Sequence, residues 1–433
     1  MTAPTTPAAP RSADVRAPLL TRPLASYHLL LGCTVLLLVL GLVMVFSASS
    51  LRAYATTGSV FSTGIKQGTF IAFGVQLMMV MSRLPVRVFR GAAYPALLVS
   101  VALLVAVLLP GVGNEVNGAT SWIPLPMGFN LQPAELAKLA LVLWGADLLV
   151  RKQRLLGEPK HLLVPLLPVA GVVLGLVMLQ PDLGTSVALA SIVVALLYVV
   201  GTPLRIFAVL CGFLLACVAG IALTSQHSMD RLVSFRDPFA DAADTGYQAV
   251  QGFYALSSGG VFGRGLGASK EKWSGGLPEA HTDYVFAIIG EELGLLGTLA
   301  VLVLFVVLLY SGIRIAQRAT DPFVRLCSFA VTAWLGCQAV INMGAVVGLL
   351  PITGIPLPLV SFGGSALLVT LAAIGMLLSF ARLEPGAAAA LRARPSVLGR
   401  LRGETVPVPR QRTTVSSVRV AARPPARRPA GRR

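Results

Sequence analysis

Apolar residues run along most of this chain in long blocks, interrupted by short polar stretches. A helix needs about 20 apolar residues to cross a bilayer. Ten windows approach that length: roughly 28–48, 64–82, 92–109, 132–150, 162–179, 184–200, 206–224, 284–311, 326–349 and 365–381. The first, LLLGCTVLLLVLGLVMVFSASS, closes on small residues as a secretory signal does. Its apolar core exceeds the 7–15 residues of such signals, so it reads as the first span. The pattern predicts an all-α polytopic membrane protein with ten transmembrane helices.

Charge gives the spans a direction. Arg83, Arg87 and Arg90, then Arg151, Lys152, Arg154 and Lys160, then Arg205, then Arg314, Arg318 and Arg325 fall in alternate loops. The other loops are neutral or acidic, with Arg52 in the first of them the exception. Cytoplasmic loops carry the excess of Lys and Arg, so both termini are expected in the cytoplasm and Asp283 outside. Composition agrees with a membrane class: 55% of the 433 residues are hydrophobic and only 12% are charged, against about 25% charged in soluble domains.

The net charge of +17 is concentrated, since residues 381–433 hold thirteen Arg against Glu384 and Glu404. That tail and the N-terminal segment are rich in Pro and poor in aromatics, so both read as disordered and solvated. The resulting organisation is an N-tail over 1–25, a membrane domain over 26–382 and a basic C-tail over 383–433. Residues 225–283 make one long extracytoplasmic loop, with seven acids against five bases. Its aromatics and glycines predict order, with short amphipathic pieces packed on the membrane domain. The cysteines (Cys33, Cys211, Cys217, Cys327 and Cys337) lie in apolar runs, without disulfide or metal-ligand spacing.

Several short stretches carry candidate chemistry. GRGLGAS at 263–269 lacks the Gly-Lys-Ser/Thr ending and preceding strand of a phosphate loop. Its glycines suit a tight approach to other backbone, and Arg264, Lys270 and Lys272 could hold an anion or simply be solvated. In QPAELAK, Glu135 and Lys138 share a helix face. Intramembrane charges are costly, so the pair either lines a wet cavity, the preferred reading, or neutralises itself. Asp182 in QPDLGTS reads as a helix N-cap. Gln338 and Asn342 share a face and suit interhelical hydrogen bonds. PITGIPLPLVSFGGS holds three prolines and cannot be continuous helix, so it must be buried in protein or line a cavity. Asp283 opens a span, either as an N-cap or as a carboxylate held at the water–lipid boundary. Of Glu291 and Glu292, on adjacent faces, one must point inward.

These residues resemble a known family. YQAVQGFYALSSGGVFGRGLGASKEKWSGGLPEAHTDYVFAIIGEELG, NMGAVVGLLPITGIPLPLVSFGGS, QPAELAK and QPDLG together are similar to the SEDS proteins (shape, elongation, division and sporulation), over about residues 25–382. RPLASYHLLLG and FSASS resemble the division branch, FtsW, more than the elongation branch, RodA. NGATSWIPL departs from the family pattern, with Thr120 and Ser121 where many members have basic residues. A phosphate contact from that point is therefore not expected.

The resemblance implies a glycosyltransferase that polymerises lipid II into glycan strands at the outer face of the bacterial cytoplasmic membrane, at the division septum. A lipid II flippase and an elongation polymerase are the alternatives. Asp283 matches the family's essential aspartate. One carboxylate suffices for an inverting transfer, because the pyrophosphate leaving group needs no general acid. Lys138, Arg264, Lys270, Lys272 or a divalent cation (magnesium or manganese) would stabilise the departing charge. The implied substrate cavity adds Glu135, Gln248, Gln251, His281, Glu291, Glu292, Gln338, Asn342, Ser361, Gly363, Gly364 and Ser365. No organic cofactor and no nucleic-acid partner are expected. A class B penicillin-binding protein, supplying crosslinks, is the implied partner, with other division proteins recruited through the basic tail.

Overall fold

A computed structural model describes residues 24–387, apart from 117–118, 126–128, 156–158, 210–211, 213–234, 243, 245 and 274–275. Residues 1–23 and 388–433 of the predicted tails and most of the 206–224 window, with Cys211 and Cys217, lie outside the described residues. The other nine windows coincide with helices: α1 (Ala25–Thr57), α2 (Ser62–Met81), α3 (Val86–Val107), α4 (Pro133–Arg151), α5 (Pro159–Met178), α6 (Leu183–Val200), α8 (Val285–Arg318), α9 (Pro322–Val346) and α10 (Gly364–Ala381). Between α6 and α8 lies α7 (Tyr247–Gly259), an amphipathic piece of the expected kind in the long loop.

Six of these helices, α1, α3, α6, α8, α9 and α10, are long and apolar enough to cross a membrane. The chain is a multi-pass membrane protein. Helix α4 falls short in apolarity because it carries Glu135, Lys138, Asp147 and Arg151. Helix α10 is buried along most of its length, while α1 and α8 present runs of exposed Val, Leu and Phe to the lipid.

The all-α membrane domain carries one small non-helical addition in a loop. Residues 114–131 form a three-stranded antiparallel sheet, β1 (Asn114–Val116), β2 (Ala119–Leu125) and β3 (Phe129–Leu131), in the order β1-β2-β3. Strand β2 pairs with β1 through Ala119–Trp122 and with β3 through Ile123–Leu125. Pro124 therefore has a neighbour on one side only, the position in which a residue without an N–H is tolerated.

The helix matching the 284–311 window carries a kink. Gly294 interrupts the helix with φ 69° and ψ −163°. Its first two turns, Val285–Glu292, are buried inside the protein, and lipid-facing exposure begins only at Leu295 and Leu296. The kink thus separates a protein-enclosed half-helix from the part of α8 whose apolar side chains are exposed. A side chain at Gly294 would meet the backbone of Gly263 at 2.3 Å, so the residue must be glycine for space as well as for conformation.

Polar contacts sort the helix ends onto two faces. On one, Arg52 meets Glu279, Gln132 meets Asp182 and Ser365, and Asn342 meets Asp283. On the other, buried Asp147 accepts from Arg90 and Arg151, Arg318 meets Glu384, and Arg382 stacks on Tyr27 and bonds its hydroxyl. These pairings group the loops as the charge alternation predicted.

Candidate active site

The irregular segment 351–363 between α9 and α10 is the centre of the first face. As burial of non-helical backbone demands, its polar groups find partners in the surrounding elements. Asn342 of α9 donates Nδ2 to the Ile355 carbonyl at 2.7 Å and to the Asp283 carbonyl at 2.8 Å. Gln67 of α2 reaches the Ser361 carbonyl, and Phe362 N–H donates to the His281 carbonyl. Within the segment, Leu357 N–H donates to Ser361 Oγ at 2.8 Å. Helix α1 approaches so closely at Gly41 that a Cβ there would lie 2.7 Å from Val360 Cα. Gln338, one turn before Asn342, lines a small pocket with Ser361, Gly363 and the start of α10.

Asp283 sits against this segment. It is half-buried and lines a second pocket with Tyr284, Asn342, Thr353, Gly354 and Ile355. Its Oδ2 lies 3.6 Å from where a side chain on Gly354 would begin, and Gly354 turns the segment there with φ 71°. Helix α8 proper begins one residue later, at Val285, with Tyr284 in the cap position and no cap hydrogen bond from the Tyr284 side chain. Asp182, by contrast, caps α6 as predicted, accepting Thr185 N–H at 2.9 Å. Its second oxygen takes Gln132 Nε2 at 2.8 Å and so binds the start of α4, a tie the capping argument did not anticipate.

The turn before Asp283 holds further charge. Glu279 Oε1 accepts Arg52 Nη1 at 3.0 Å, and Thr282 Oγ1 donates to Glu279 Oε2 at 2.9 Å. Burial raises the Glu279 carboxyl, but the hydrogen bonds from Arg52 and Thr282 and the Arg52 charge outweigh it, leaving it below its ordinary range. Burial, and secondarily Arg52, lowers the His281 imidazole against the pull of Glu279. The His281 ring lies 5.5 Å from that of Phe362. Neither Arg52 nor Glu279 was singled out from the sequence. The available signal was Arg52's exception to the charge rule.

The two glutamates of α8 do something other than line this pocket. Glu292 accepts Ser47 Oγ of α1 at 2.7 Å and Lys272 Nζ at 3.1 Å. Glu291 accepts the Ser269 hydroxyl and Lys270 N–H, with Arg264 Nη1 at 3.6 Å. Their own carbonyls accept the N–H groups of Arg264 and Gly265. Both acids therefore fasten loop 260–273 along the half-helix. The expected wet setting of Glu135 and Lys138 is also corrected. Both are fully buried, 2.7 Å apart, with the ammonium 5.0 Å from the Trp334 ring centroid. The structure thus joins Asp283, His281, Asn342, Ser361 and Ser365 around segment 351–363, with Gln338, Gly363 and Gly364 at its end. Gln248 reaches the Pro278 carbonyl, and Gln251 is half-buried on α7. The loop cations and Lys138 belong to separate clusters.

The FtsW, RodA and SpoVE family model, described as a cell cycle protein family, matches residues 27–384. The chain belongs to this family. Its members include the probable peptidoglycan glycosyltransferase FtsW of Mycobacterium tuberculosis, 43% identical over 90% of this chain and 74% of that one. The protein of the same name from Halorhodospira halophila is 44% identical over 78% of this chain and 86% of its own. Among solved family structures, RodA of Thermus thermophilus aligns with TM-score 0.61 and 28% identity, over 82% of this chain and 97% of that one. A chain from a peptidoglycan synthase complex that coordinates polymerisation and crosslinking aligns with TM-score 0.65 and 29% identity, over 82% and 96%. Within the family, this chain falls on the FtsW branch.

Proposed function

We infer that this protein is a peptidoglycan glycosyltransferase of the FtsW type, joining lipid-linked disaccharide units into glycan strands for septal wall synthesis. The observation that carries the mechanism is Asp283, a half-buried carboxylate lining the pocket formed with Asn342, Thr353, Gly354 and Ile355. As general base it takes the proton of the acceptor hydroxyl while that oxygen forms its bond to the donor's anomeric carbon. The bond from that carbon to the pyrophosphate breaks, and the polyprenyl pyrophosphate leaves with the electron pair. Asn342 fixes the backbone of Asp283 relative to the segment, which keeps the base in one place between turnovers.

Charge supports an orientation in the bacterial cytoplasmic membrane. The face bearing Arg83, Arg87, Arg151, Lys152, Arg154, Arg205 and Arg325 is cytoplasmic, with both termini, so Asp283 meets lipid II outside. The partner is a class B penicillin-binding protein, and the exposed Val340, Val347 and Leu349 give it an apolar place to dock. The likeness to a chain of a peptidoglycan synthase complex supports that pairing. Among the described residues no three His, Cys, Asp or Glu side chains form a metal cluster. A divalent cation used in the reaction would act as a counter-ion of the diphosphate and stabilise the charge that develops on the leaving group.

Purified protein in nanodiscs, supplied with lipid II and assayed with and without the partner, tests this reading. Asp283→Asn keeps the side-chain volume and removes the basic oxygen, so turnover should fall by about 10²–10⁴ with the fold intact. A folded Asn variant that makes glycan at near-normal rate would overturn the mechanism and favour lipid transport.

A further inference from the structure

The sequence offered Lys138, Arg264, Lys270 and Lys272 to the departing pyrophosphate, yet the structure has other uses for most of them. Lys138 is fully buried in its pair with Glu135. Lys272 is 5% exposed and donates to Glu292, Ser47 and the Gly267 carbonyl. Arg264 gives its Nε to the Ser258 carbonyl and leans on Glu291. Lys270 is exposed, but its backbone hangs on Glu291, about two helical turns along α8 from Asp283.

Arg52 is placed differently. Its side chain is 59% exposed, and a single terminal nitrogen is committed, to Glu279. Glu279 in turn takes the Thr282 hydroxyl, and Thr282 is the residue before Asp283. Glu279 adopts φ 51°, a left-handed conformation unusual for a side chain of its kind. Strain of this sort persists where surrounding structure enforces it, and it concentrates at ligand-binding turns. The Thr282 and Tyr284 N–H groups both close onto the Glu279 carbonyl, which fixes the turn.

Building on the glycosyltransferase reading, we propose that Arg52 is the diphosphate contact of the donor lipid and that Glu279 holds it in waiting. A guanidinium carries five N–H donors in a planar fork that matches phosphate oxygens bidentately. With one donor on Glu279, the rest are available to an anion arriving beside Asp283. Arg52 then stabilises the charge that grows on the leaving group while Asp283 takes the acceptor's proton.

The test compares variants in an Asp283→Asn background, which removes the neighbouring carboxylate charge from the comparison, with undecaprenyl pyrophosphate and undecaprenyl monophosphate, neither of which carries a sugar to transfer, as probes in nanodiscs. Arg52→Gln should weaken pyrophosphate binding roughly ten- to a hundredfold, the scale of a lost charge-assisted hydrogen bond. Arg52→Lys should fall between, because it keeps the charge and loses the fork. Glu279→Gln releases Arg52 and should bind pyrophosphate as tightly as the parent or more tightly. A purely structural bridge predicts instead that Arg52→Gln and Glu279→Gln lower thermal stability alike and leave pyrophosphate affinity equal, which would overturn the assignment. If the parent with Arg52 intact binds no pyrophosphate lipid, the glycosyltransferase reading itself fails. If it binds and Arg52→Gln binds equally well, the role of Arg52 alone falls.

Discussion

Lys138 and Glu135 show how burial changes what a charge is for. Spaced three residues apart, they were legible as partners, but their setting was not, because helical spacing is blind to what packs opposite. The Trp334 ring comes from α9, almost two hundred residues downstream, and it closes the pair off. Replacing one member of such a pair strands the other in low dielectric, at about 3–5 kcal/mol. Lys138→Met should therefore lower the thermal unfolding temperature in detergent, and the double change Lys138→Met with Glu135→Leu should recover much of the loss. A double variant as unstable as the single one would show that the ammonium serves something other than Glu135. His281 makes a second residue-scale prediction. Its folded pKa lies below the ordinary 6.5, chiefly through burial. The unfolded chain then binds the extra proton first, so the contribution of His281 is present above the unfolded pKa and is lost as pH falls through the folded one. His281→Gln should flatten the decline in stability between pH 7 and pH 5. An unchanged slope would place the proton elsewhere. Glu279, also lowered, contributes its share above its ordinary 4.5 and loses it further into acid.

Among the elements, the long helices were readable because twenty apolar residues in a row have few other uses. The kink in α8 was hidden for a related reason. Glycine is frequent in membrane helices, so GEELGLLG carries no mark that distinguishes its middle glycine. What decides the matter is loop 260–273, whose Gly263 fills the space a side chain on residue 294 would take. The same concealment covered the glutamates, whose partners come from that loop and from Ser47 of α1. Gly294→Ala imposes both a clash and a left-handed alanine, a strain of about 1–3 kcal/mol before any collision is counted. The loop should lose its seat on the half-helix, and protease cleavage within 260–273 should accelerate. Equal protection in the alanine protein would mean that the kink is not what holds the loop. The small sheet before α4 was missed because its strands have only three to seven residues and sit between two strong helical signals.

For the molecule as a whole, loop charge predicted which helix ends belong together, and the polar contacts of the two faces group them in the same way. Arg52, the one charge that broke the pattern, is explained by Glu279, a partner 227 residues away that no local rule could supply. The orientation itself makes a plain prediction. A cysteine at position 257 should react with a membrane-impermeant reagent from outside intact cells, and one at position 396 should be protected. The opposite pattern would invert the protein in the membrane.

The way Glu291 and Glu292 are neutralised bears on how this chain can be made. Each buried acid would add about 2.5–3.5 kcal/mol to membrane insertion if it entered alone. The groups that answer them, Arg264, Ser269, Lys270 and Lys272, precede them by about twenty residues and so leave the ribosome first. The loop and half-helix can fold onto each other as an electrically balanced hairpin before the rest of α8 is made. The bonds to Ser47, from Glu292 across 245 residues and from Lys272 across 225, need the first helix to be waiting. A substitution that removes Lys272 would then act during synthesis, reducing the amount of protein inserted before it could alter the rate of any molecule that matured.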